Sequence, residues 1–448
     1  MINHEVVAAA VRKPPAITGT GSHTIRELIA KHNRRRMAAT GGESFIPDDA
    51  ETLRCLNKEG LNYESVLEKG RTVVVRKTAN LHTGGTIHDV TDEISPALKQ
   101  AAVTVSQALD ILNIPYNVTR RGAIRATLSG DGDALDRAVC VHLDTLGAMV
   151  SRLKSNGRLA VRPIGTWSSR FAEGARVTVF TQGQKYRGRI IPLKASGHVY
   201  GDAVDTQPVS WDQVEVRVDA RCHNKADLED KGFCAGDFIA VDPFPEIDEQ
   251  EGFINARHLD DKAGAAVLLS VARTIRRSGL KLPVDCHLLF TINEEVGVGA
   301  TEVLYNDITE MIVIDSAMTA PGQNSTEYDA TLVMMDQSGP FDYHLNRKLV
   351  RLCRENEIFF KKDLFEFYRS DAASAIEAGS DIRTALVGFG VDASHGYERT
   401  NISSLKQVEN LILAYVRSNP TFNRDKDKMG SITGFPHQPT RDPINIET

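Results

Sequence analysis

The sequence lacks several features that would place it in a specialised class of protein. It has no apolar stretch near the roughly 20 residues of a membrane span, and its start, MINHEVVAAAVRKPP, does not have the layout of a signal peptide. Its six cysteines are scattered and form no C-x-x-C pair. We therefore expect reduced, buried thiols in a cytoplasmic protein with no membrane partner.

The charge balance gives no reason to expect a polyanionic partner. The net charge is -6, and the chain is 41% hydrophobic and 25% charged, which is ordinary for a globular protein. We expect no nucleic-acid binding. Residues 1–40 are locally basic, so NRRRMAATGGES could be a nucleic-acid patch or a targeting signal. A solvated helix end followed by a glycine loop is the favoured interpretation.

The hydrophobic pattern changes twice along the 448 residues, which suffice for two or three domains. Residues 96–113 predict a helix, and two strand-like stretches follow, YNVTRRGAIRATLSG and RAVCVHLDTLGAMV. From about 158 to 250, short strands alternate with glycine turns, which predicts a small inserted β-rich domain. Strands and helices then alternate, including a helix over GATEVLYND, so we expect a mostly parallel sheet covered by helices on both faces.

Acidic and imidazole side chains recur where predicted strands end or helices begin. TINEEVGVGA sets two carboxylates side by side after the buried strand VDCHLLF, which costs desolvation and repulsion. Open α/β sheets form their sites at the carboxyl edge of the parallel strands, so the side chains of five such segments should meet there. They are His142, Asp144, Asp260, Asp261, Glu294, Glu295, Asp315 and His395.

Each segment alone has an ordinary structural explanation. His-x-Asp after a strand can be a capped turn, and Asp-Asp before a helix can be an N-cap. A single histidine at a strand end is more often structural than a ligand. Together, however, two imidazoles and several carboxylates suit zinc or cobalt, and a bridging carboxylate can hold two such ions about 3.5–4 Å apart.

The ordered set of motifs resembles the tetrahedral or deblocking aminopeptidases, di-metal exopeptidases that include glutamyl aminopeptidases. The set runs His-x-Asp, Leu-Asp-Asp-Lys-x-Gly, Glu-Glu-Val-Gly-x-x-Gly-Ala, a strand-end Asp and a late His, and it extends from about 114 to 418. TRRGAIRATL, PIGTWSSRFAEGARV, APGQNS, SGPFDYHL and GVDASHGYERT are most similar to a bacterial subgroup associated with the osmoprotectant N-acetylglutaminylglutamine amide.

The resemblance implies a role for each matching residue. One metal ion would be held by His142 and Asp315, and the other by Glu295 and His395. The carboxylate of Asp260 would bridge the two ions. The catalytic pair would be Glu294, the general base, and Asp144, which would orient His142.

Three positions depart from the family pattern or are ambiguous in it. Thr145 stands where the family often has a glutamate, which alters the surroundings of a ligand but no ligand. Asp261 is often Asn in the family, and N-capping is its expected role. Asp371 in YRSDAASA matches a Thr-Asp-Ala segment near the site, and is either a substrate-side residue or a helix cap.

Residues 1 to about 110 resemble a different family, the ATP-grasp ligases such as cyanophycin synthetase. GESFIPDDAETLRCL and RKTANLHTGGTIHDVTDEISPALKQAA carry that similarity. The earlier ATP-binding half and the later acidic segment that holds magnesium are missing, so we expect no ligase activity. The LHTGGTIHD loop also lacks the G-K-[ST] of a phosphate-binding loop.

The resemblances divide the chain into five parts. They are an ATP-grasp-like fragment (1–112), two parts of a catalytic domain (113–157 and 254–418), an inserted β domain (158–253) and a disordered tail (419–448). We expect a metal-dependent aminopeptidase that removes N-terminal residues from short peptides or dipeptide amides with a water activated by two metal ions. It should form a homo-oligomer, and the family implies a dodecamer through the inserted domain. The alternatives are a non-catalytic fusion scaffold and an ATP-dependent peptide ligase.

Overall fold

The computed structural model describes residues 63–68, 71–76, 96–132, 136–305, 307–422 and 425, with side chains from residue 101 onward. Most of the predicted ATP-grasp-like fragment and of the predicted disordered tail lies outside these residues. The chain divides into two units, one of residues 14–86 and one of residues 1–13 with 87–448. In the smaller unit, β1 (Tyr63–Glu68) and β2 (Arg71–Arg76) pair as antiparallel strands.

The larger unit contains the remaining helices and strands. Its strands are β3 (Tyr116–Val118), β4 (Ile124–Leu128), β5 (Asp136–His142), β6 (Gly147–Leu153), β7 (Leu159–Ile164), β8 (Arg176–Phe180), β9 (Lys185–Pro192), β10 (Val214–Val218), β11 (Phe238–Val241), β12 (Glu246–Ile247), β13 (Phe253–Ala256), β14 (Cys286–Thr291), β15 (Ile308–Met318), β16 (Ala330–Asp336), β17 (Gly339–Pro340), β18 (Phe360–Leu364), β19 (Arg383–Val391) and β20 (Glu398–Asn401). Its helices are α1 (Pro96–Ile111), α2 (Ser169–Ala172), α3 (Gly197–Tyr200), α4 (Lys225–Asp230), α5 (Leu259–Ser278), α6 (Tyr343–Glu355), α7 (Asp371–Glu377) and α8 (Ile402–Arg417).

A large sheet forms the centre of this unit. Within the described residues its strand order is β17-β16-β19-β15-β5-β14-β4-β3, with β18 paired to β16. The four inner strands β19, β15, β5 and β14 are parallel to one another, and β18 is parallel to β16. In contrast, β4 is antiparallel to β14, β3 to β4, and β16 to β19. The predicted α/β class is confirmed, but the sheet is mixed rather than mostly parallel.

The inner strands are buried because their sequences are almost continuously apolar. In β5 and β14, residues such as Val139, Val141, Leu288 and Phe290 are fully buried. Each side chain of this size contributes about 1.5–3 kcal/mol when it leaves water. Helices α5 and α8 pack on each other and against the sheet, and their buried side chains form a single core with those of the strands. This core fixes where the strands end relative to one another.

The predicted inserted β domain is a closed barrel with its own core. The strands follow the order β10-β7-β6-β11-β8-β9, and alternate residues such as Val150, Val177, Val179 and Ile190 fill the interior. The barrel begins with β6 at Gly147 and not near residue 158. The apolar stretch LGAMV continues directly from the His142 segment, so no change in pattern marks the crossing from the sheet to the barrel.

Two predicted helices differ in outcome. The helix predicted over 96–113 is present as α1, whereas the described residues of GATEVLYND contain a 3₁₀ turn over Ala300–Glu302 and no α-helix. The amide of Ala300 donates to the carboxylate of Asp371 at 2.6 Å, a long-range contact that sequence periodicity does not register. No helix in the described ranges is long and apolar enough to cross a membrane.

Candidate metal centre

Three neighbouring strands carry candidate ligands to one edge of the sheet. The imidazole of His142 ends β5, Asp315 lies in β15, and Glu294 and Glu295 follow the end of β14. Strand β5 lies between the other two and is parallel to both. Because parallel strands end at a common edge, these four side chains converge there, as the sequence predicted.

Asp260 lies at the centre of the group. Its Oδ1 is 3.0 Å from Nε2 of His142, and its Oδ2 accepts a 2.8 Å hydrogen bond from the hydroxyl of Ser316. The peptide bond between Asp260 and Asp261 is cis, and neither residue has helical dihedral angles, so the regular part of α5 begins after them. This turn directs the Asp260 carboxylate toward the strand ends.

Asp261 does not cap α5 as expected. Its Oδ2 accepts a 3.2 Å hydrogen bond from the amide of His142, and its buried Oδ1 has no hydrogen-bond partner among the described residues. A Cβ on Gly264 would lie 2.1 Å from that oxygen, which explains why glycine follows in the Leu-Asp-Asp-Lys-Ala-Gly segment. The side chain therefore links the helix start to the first candidate ligand.

His395 approaches from the opposite side, on the loop after β19. Its Nε2 lies 3.7 Å from Oδ2 of Asp260 and 3.8 Å from Oε2 of Glu295. Its Nδ1 lies 2.9 Å from the carbonyl oxygen of Thr166, in the segment that follows β7 of the barrel. A carbonyl can only accept, so Nδ1 carries the proton and Nε2 is left with the lone pair that a metal ion needs.

The adjacent glutamates diverge toward different histidines. Oε2 of Glu294 is 3.9 Å from Nε2 of His142, whereas Oε2 of Glu295 lies beside His395. The carboxylate of Asp144 accepts hydrogen bonds from both of their amides, at 3.1 and 3.0 Å. It thereby fixes the backbone from which the two side chains separate.

Asp144 contacts His142 mainly through its main chain. Nδ1 of His142 is 3.1 Å from the carbonyl oxygen of Asp144 and 3.5 Å from its Oδ1. The predicted orienting contact is thus made chiefly by the carbonyl oxygen. The carboxylate mainly holds the Glu294–Glu295 turn, which could not be read from the His-x-Asp spacing.

The site holds more negative charge than its neighbours can balance. Burial raises the pKa values of Glu294, Glu295 and Asp315 well above the ordinary carboxyl range, and nearby carboxylates add to the effect. Burial acts the same way on Asp260 and is the largest single influence, but the hydrogen bonds from His142 and Ser316 and the charges of His142 and His395 together outweigh it and lower the pKa. Burial lowers the pKa of Lys262 to about 8.

Divalent cations fit this donor set. Ligand atoms of His142, Asp260 and Glu295 all lie within 4.8 Å of one another. In the described part of the chain, no lysine or arginine nitrogen lies within 4.0 Å of the carboxylates of Asp260, Glu294, Glu295 or Asp315. The ion-pair contacts of the first three are with histidines. Buried carboxylates without a cationic partner are costly, and bound divalent cations would remove that cost.

Comparison with known proteins agrees with the geometry. The profile of the family described as M42 glutamyl aminopeptidase matches residues 122–411. This chain belongs to the M42 family. It is 38% identical over 299 residues to the putative aminopeptidase YhfE of Bacillus subtilis (strain 168), a match that covers 66% of this chain and 86% of that protein. The expected metallo-exopeptidase class is thereby confirmed.

Solved structures give the same fold for the M42 part. The TET1 peptidase of Pyrococcus horikoshii, which can assemble into a tetrahedron or a large octahedral shell, superposes with a TM-score of 0.63 at 18% identity, over 74% of this chain and 99% of that one. A separate match is 40% identical over 119 residues to cyanophycin synthetase of Crocosphaera subtropica (strain ATCC 51142 / BH68). It covers 25% of this chain but only 14% of that protein.

Asp371 has neither of its two predicted roles in the M42 site. Ser370 caps α7, and the carboxylate of Asp371 accepts hydrogen bonds from the hydroxyl of Thr291 and the amide of Ala300. A Cβ on Gly299 would lie 2.2 Å from this carboxylate. Asp371 is 1% exposed and fixes both ends of the loop that carries the two glutamates.

Two residues near the M42 site were missed in the sequence. The hydroxyl of Tyr368 is buried with no well-aligned hydrogen-bond partner among the described residues, and burial followed by the charge of Asp315 raises its pKa. Glu398 is 1% exposed, and burial raises its pKa to about 8. Glu398 follows His395 closely in ASHGYERT, but nothing in the spacing indicates what its carboxylate contacts.

Proposed function

We propose that this M42 aminopeptidase holds two divalent cations, zinc or cobalt, in the centre described above. One would be bound by His142 and Asp315, the other by Glu295 and His395, and Asp260 would bridge them. The observation that carries the proposal is the convergence of two imidazole Nε2 atoms on opposite oxygens of the Asp260 carboxylate. A single carboxylate contacted from both sides is the arrangement that a bridging ligand requires.

In the proposed chemistry, the cations and the side chains of this chain have different roles. Bound divalent cations polarise the carbonyl of the N-terminal residue and lower the pKa of the attacking water. Glu294 accepts the proton of that water at its carboxylate and returns it to the leaving amine. The carboxylate of Asp144 accepts a hydrogen bond from the amide of Glu294, which keeps the Glu294 carboxylate beside His142.

The proposed substrates are short peptides with an acidic or amide side chain at a free N-terminus. A cavity beside the centre is lined by Trp167, Arg257, His258 and Gly396 together with candidate ligands. Arg257 has no carboxylate within 4.0 Å in the described ranges, and its Nη1 is 3.5 Å from the carbonyl oxygen of Gly396. A half-buried guanidinium without an acidic partner favours a substrate that supplies a carboxylate or an amide oxygen.

The finer expectations from the sequence belong to the same proposal. N-acetylglutaminylglutamine amide also has amide side chains, but its N-terminus is blocked, so its hydrolysis at the same site would be an amidase or deacylase reaction. A dodecamer assembled through the barrel is proposed on the fold shared with the TET1 peptidase of Pyrococcus horikoshii. The described cysteines Cys140, Cys222, Cys234, Cys286 and Cys353 are free, which supports a reducing, cytoplasmic setting.

The test is hydrolysis of a peptide panel by the full chain after removal of metal and reconstitution with zinc or cobalt. The panel contains peptides with N-terminal Glu, Gln or Leu, and N-acetylglutaminylglutamine amide. We expect Glu294→Gln to lower kcat about 10²- to 10⁴-fold with metal content unchanged. Glu302→Gln, on the same loop but bonded to Arg121 and Asn293, is the matched control and should retain activity.

The outcomes separate this proposal from its rivals. Metal-independent hydrolysis, or full activity in Glu294→Gln, would exclude the assigned mechanism. A folded protein that binds no divalent ion and cleaves nothing would favour the scaffold alternative. Specific ATP binding measured by calorimetry would favour the ligase alternative, which the similarity to cyanophycin synthetase keeps worth testing.

A further inference from the structure

We propose that Glu398 is a positioning residue. It would hold Asp260, the proposed bridging ligand, and His395, a proposed ligand of the second ion, in fixed positions relative to each other. The inference rests on the proposed function, since it concerns the geometry of the same two-ion centre. Glu398 has no assigned part in the chemistry and would touch neither metal ion. Its role would be to tie together two backbone segments that approach the centre from different parts of the fold.

The two carboxylate oxygens of Glu398 bind different segments. Its Oε2 accepts a 3.1 Å hydrogen bond from the amide of Asp260, and its Oε1 accepts a 2.9 Å hydrogen bond from the amide of His395. These amides belong to the proposed bridging ligand and to the proposed ligand of the second ion. One side chain therefore fixes the main-chain positions of two ligands that are far apart in sequence.

Neither segment is held by regular secondary structure at this point. His258 and His395 both have a φ of +66°, in the left-handed region that non-glycine residues rarely adopt, and Asp260 has non-helical angles. Backbone of this kind persists only where surrounding contacts hold it. The Glu398 carboxylate supplies such a contact to both segments at once.

The strand pairing explains why Glu398 can reach both. It is the first residue of β20, which pairs antiparallel with β13, and its partner in the register is Ala256. The chain leaves β13 at Ala256 and reaches Asp260 four residues later, while His395 lies three residues before the start of β20. The β13–β20 pair thus brings the starts of both ligand segments alongside one buried carboxylate.

A glutamine at position 398 would preserve the size of the side chain but not its bonding. Both carboxylate oxygens act as acceptors, whereas an amide offers one acceptor and one NH₂ group. One of the two backbone amides would then face a donor, and its segment would shift. Because His395 and Glu295 are assigned to the second ion, we expect that ion to lose affinity more than the first.

Asp363 provides a matched control elsewhere in the protein. It is buried in edge strand β18, and its Oδ2 accepts hydrogen bonds from the amides of Asn324 and Ser325 at 2.8 and 2.9 Å. Its Oδ1 accepts a 3.0 Å hydrogen bond from the amide of Leu364, so Asp363→Asn, like Glu398→Gln, turns an NH₂ group toward a backbone amide without touching a proposed ligand. It reports the general cost of such a change to folding.

The experiment is a calorimetric titration of metal-free full-length protein with zinc, for the unsubstituted chain, Glu398→Gln and Asp363→Asn. We expect two equivalents in the unsubstituted chain. In Glu398→Gln, the affinity for one zinc equivalent should fall about 10- to 100-fold, the usual effect of losing a hydrogen bond that positions a metal ligand. In Asp363→Asn, the melting temperature should fall while both zinc affinities stay unchanged. The cobalt absorption spectrum of the second equivalent should change only in the Glu398 variant.

Each other outcome overturns a specific statement. Two equivalents bound with unchanged affinity by Glu398→Gln would overturn the inference and leave the proposed function intact. Fewer than two equivalents in the unsubstituted chain would overturn the two-ion proposal and this inference with it. If Glu398→Gln does not fold, Glu398→Asp keeps the charge but shortens the reach, and unchanged affinity of both ions in that variant would equally overturn the inference.

Discussion

Two clusters of histidine and carboxylate lie at opposite ends of the same two strands. At the carboxyl end of β5 and β14 are His142, Asp260 and Glu295, and at the amino end are Asp136, His287 and Asp307. In each cluster the three possible ligand atoms lie within 4.8 Å of one another. Residue types and distances alone would assign a metal ion to both.

The clusters differ in whether an arginine or lysine side chain is paired with their carboxylates. At the amino end, a guanidinium nitrogen of Arg125 lies 2.5 Å from Oδ2 of Asp307, and Nδ1 of His287 is 3.1 Å from the hydroxyl of Thr127. Arg125 also donates to the carbonyl of Val303. Arg125 therefore balances the charge of Asp307 within the amino-end cluster. At the carboxyl end, by contrast, no arginine or lysine of the described ranges pairs with the ligands, so unbalanced buried charge marks the functional site.

The strongest test of this contrast removes one carboxylate from each cluster. Asp260→Asn should lower zinc affinity by more than about 100-fold, because loss of a residue that merely positions a ligand already lowers metal affinity about 10- to 100-fold. Asp136→Asn should leave zinc affinity and stoichiometry unchanged. Calorimetric titration of both metal-free proteins makes the comparison, and loss of a zinc equivalent in Asp136→Asn would show that the amino-end cluster also binds metal.

A second expected effect is an opposite pH dependence with and without metal. A buried carboxyl whose folded pKa is raised, such as Glu398 with a pKa of about 8, destabilises the metal-free fold above its unfolded pKa of about 4.3. Stability should therefore rise as the pH falls from about 8 toward 6, by up to about 1.4 kcal/mol per pH unit for one such group.

Bound zinc should reverse that trend. Protons compete with the metal for the same ligands, so the stabilisation from zinc should shrink over the same pH interval. Melting temperatures measured at pH 8 and pH 6, with zinc and with a chelator, give the comparison. A metal-free protein that loses stability on acidification from pH 8 to pH 6 would contradict the unbalanced-charge account of the carboxyl end.

The smallest expected effect is a new, weak metal site. Arg125→Gln removes the cation from the amino-end cluster and should cost about 1–3 kcal/mol of stability through the hydrogen bonds it loses. It should also let the freed carboxylate of Asp307, together with Asp136 and His287, take up a third, weakly bound zinc. The control is Arg121→Gln, whose guanidinium is half exposed and pairs with Glu302. A third equivalent in the control as well, or in neither variant, would mean that Arg125 does not decide the difference.

Sequence patterns predicted the positions of the candidate ligands well. His142, Glu294, Glu295 and Asp315 follow or end apolar runs, and the parallel strand centre brings them together as expected. Their metal-binding and catalytic roles remain predictions until metal and activity are measured. The barrel boundary was predicted wrongly because strand β6 continues the preceding apolar pattern. In the described residues of the 299–307 segment, a 3₁₀ turn stands where a helix was predicted, and the amide of Ala300 is bonded to the distant Asp371.

The sequence by itself determined the α/β class, the inserted β domain and the segments that carry the candidate site, because apolar periodicity and motif order are local properties of the chain. Only the tertiary structure decided the rest. The proton on Nδ1 of His395 depends on a carbonyl of the barrel segment, and the register of Asp260 with His395 depends on Glu398. The charge of Asp307 in the amino-end cluster is balanced by Arg125. These contacts join residues that are far apart in the sequence. The charge balance of a site depends on which side chains are close in space, so local sequence patterns do not determine it.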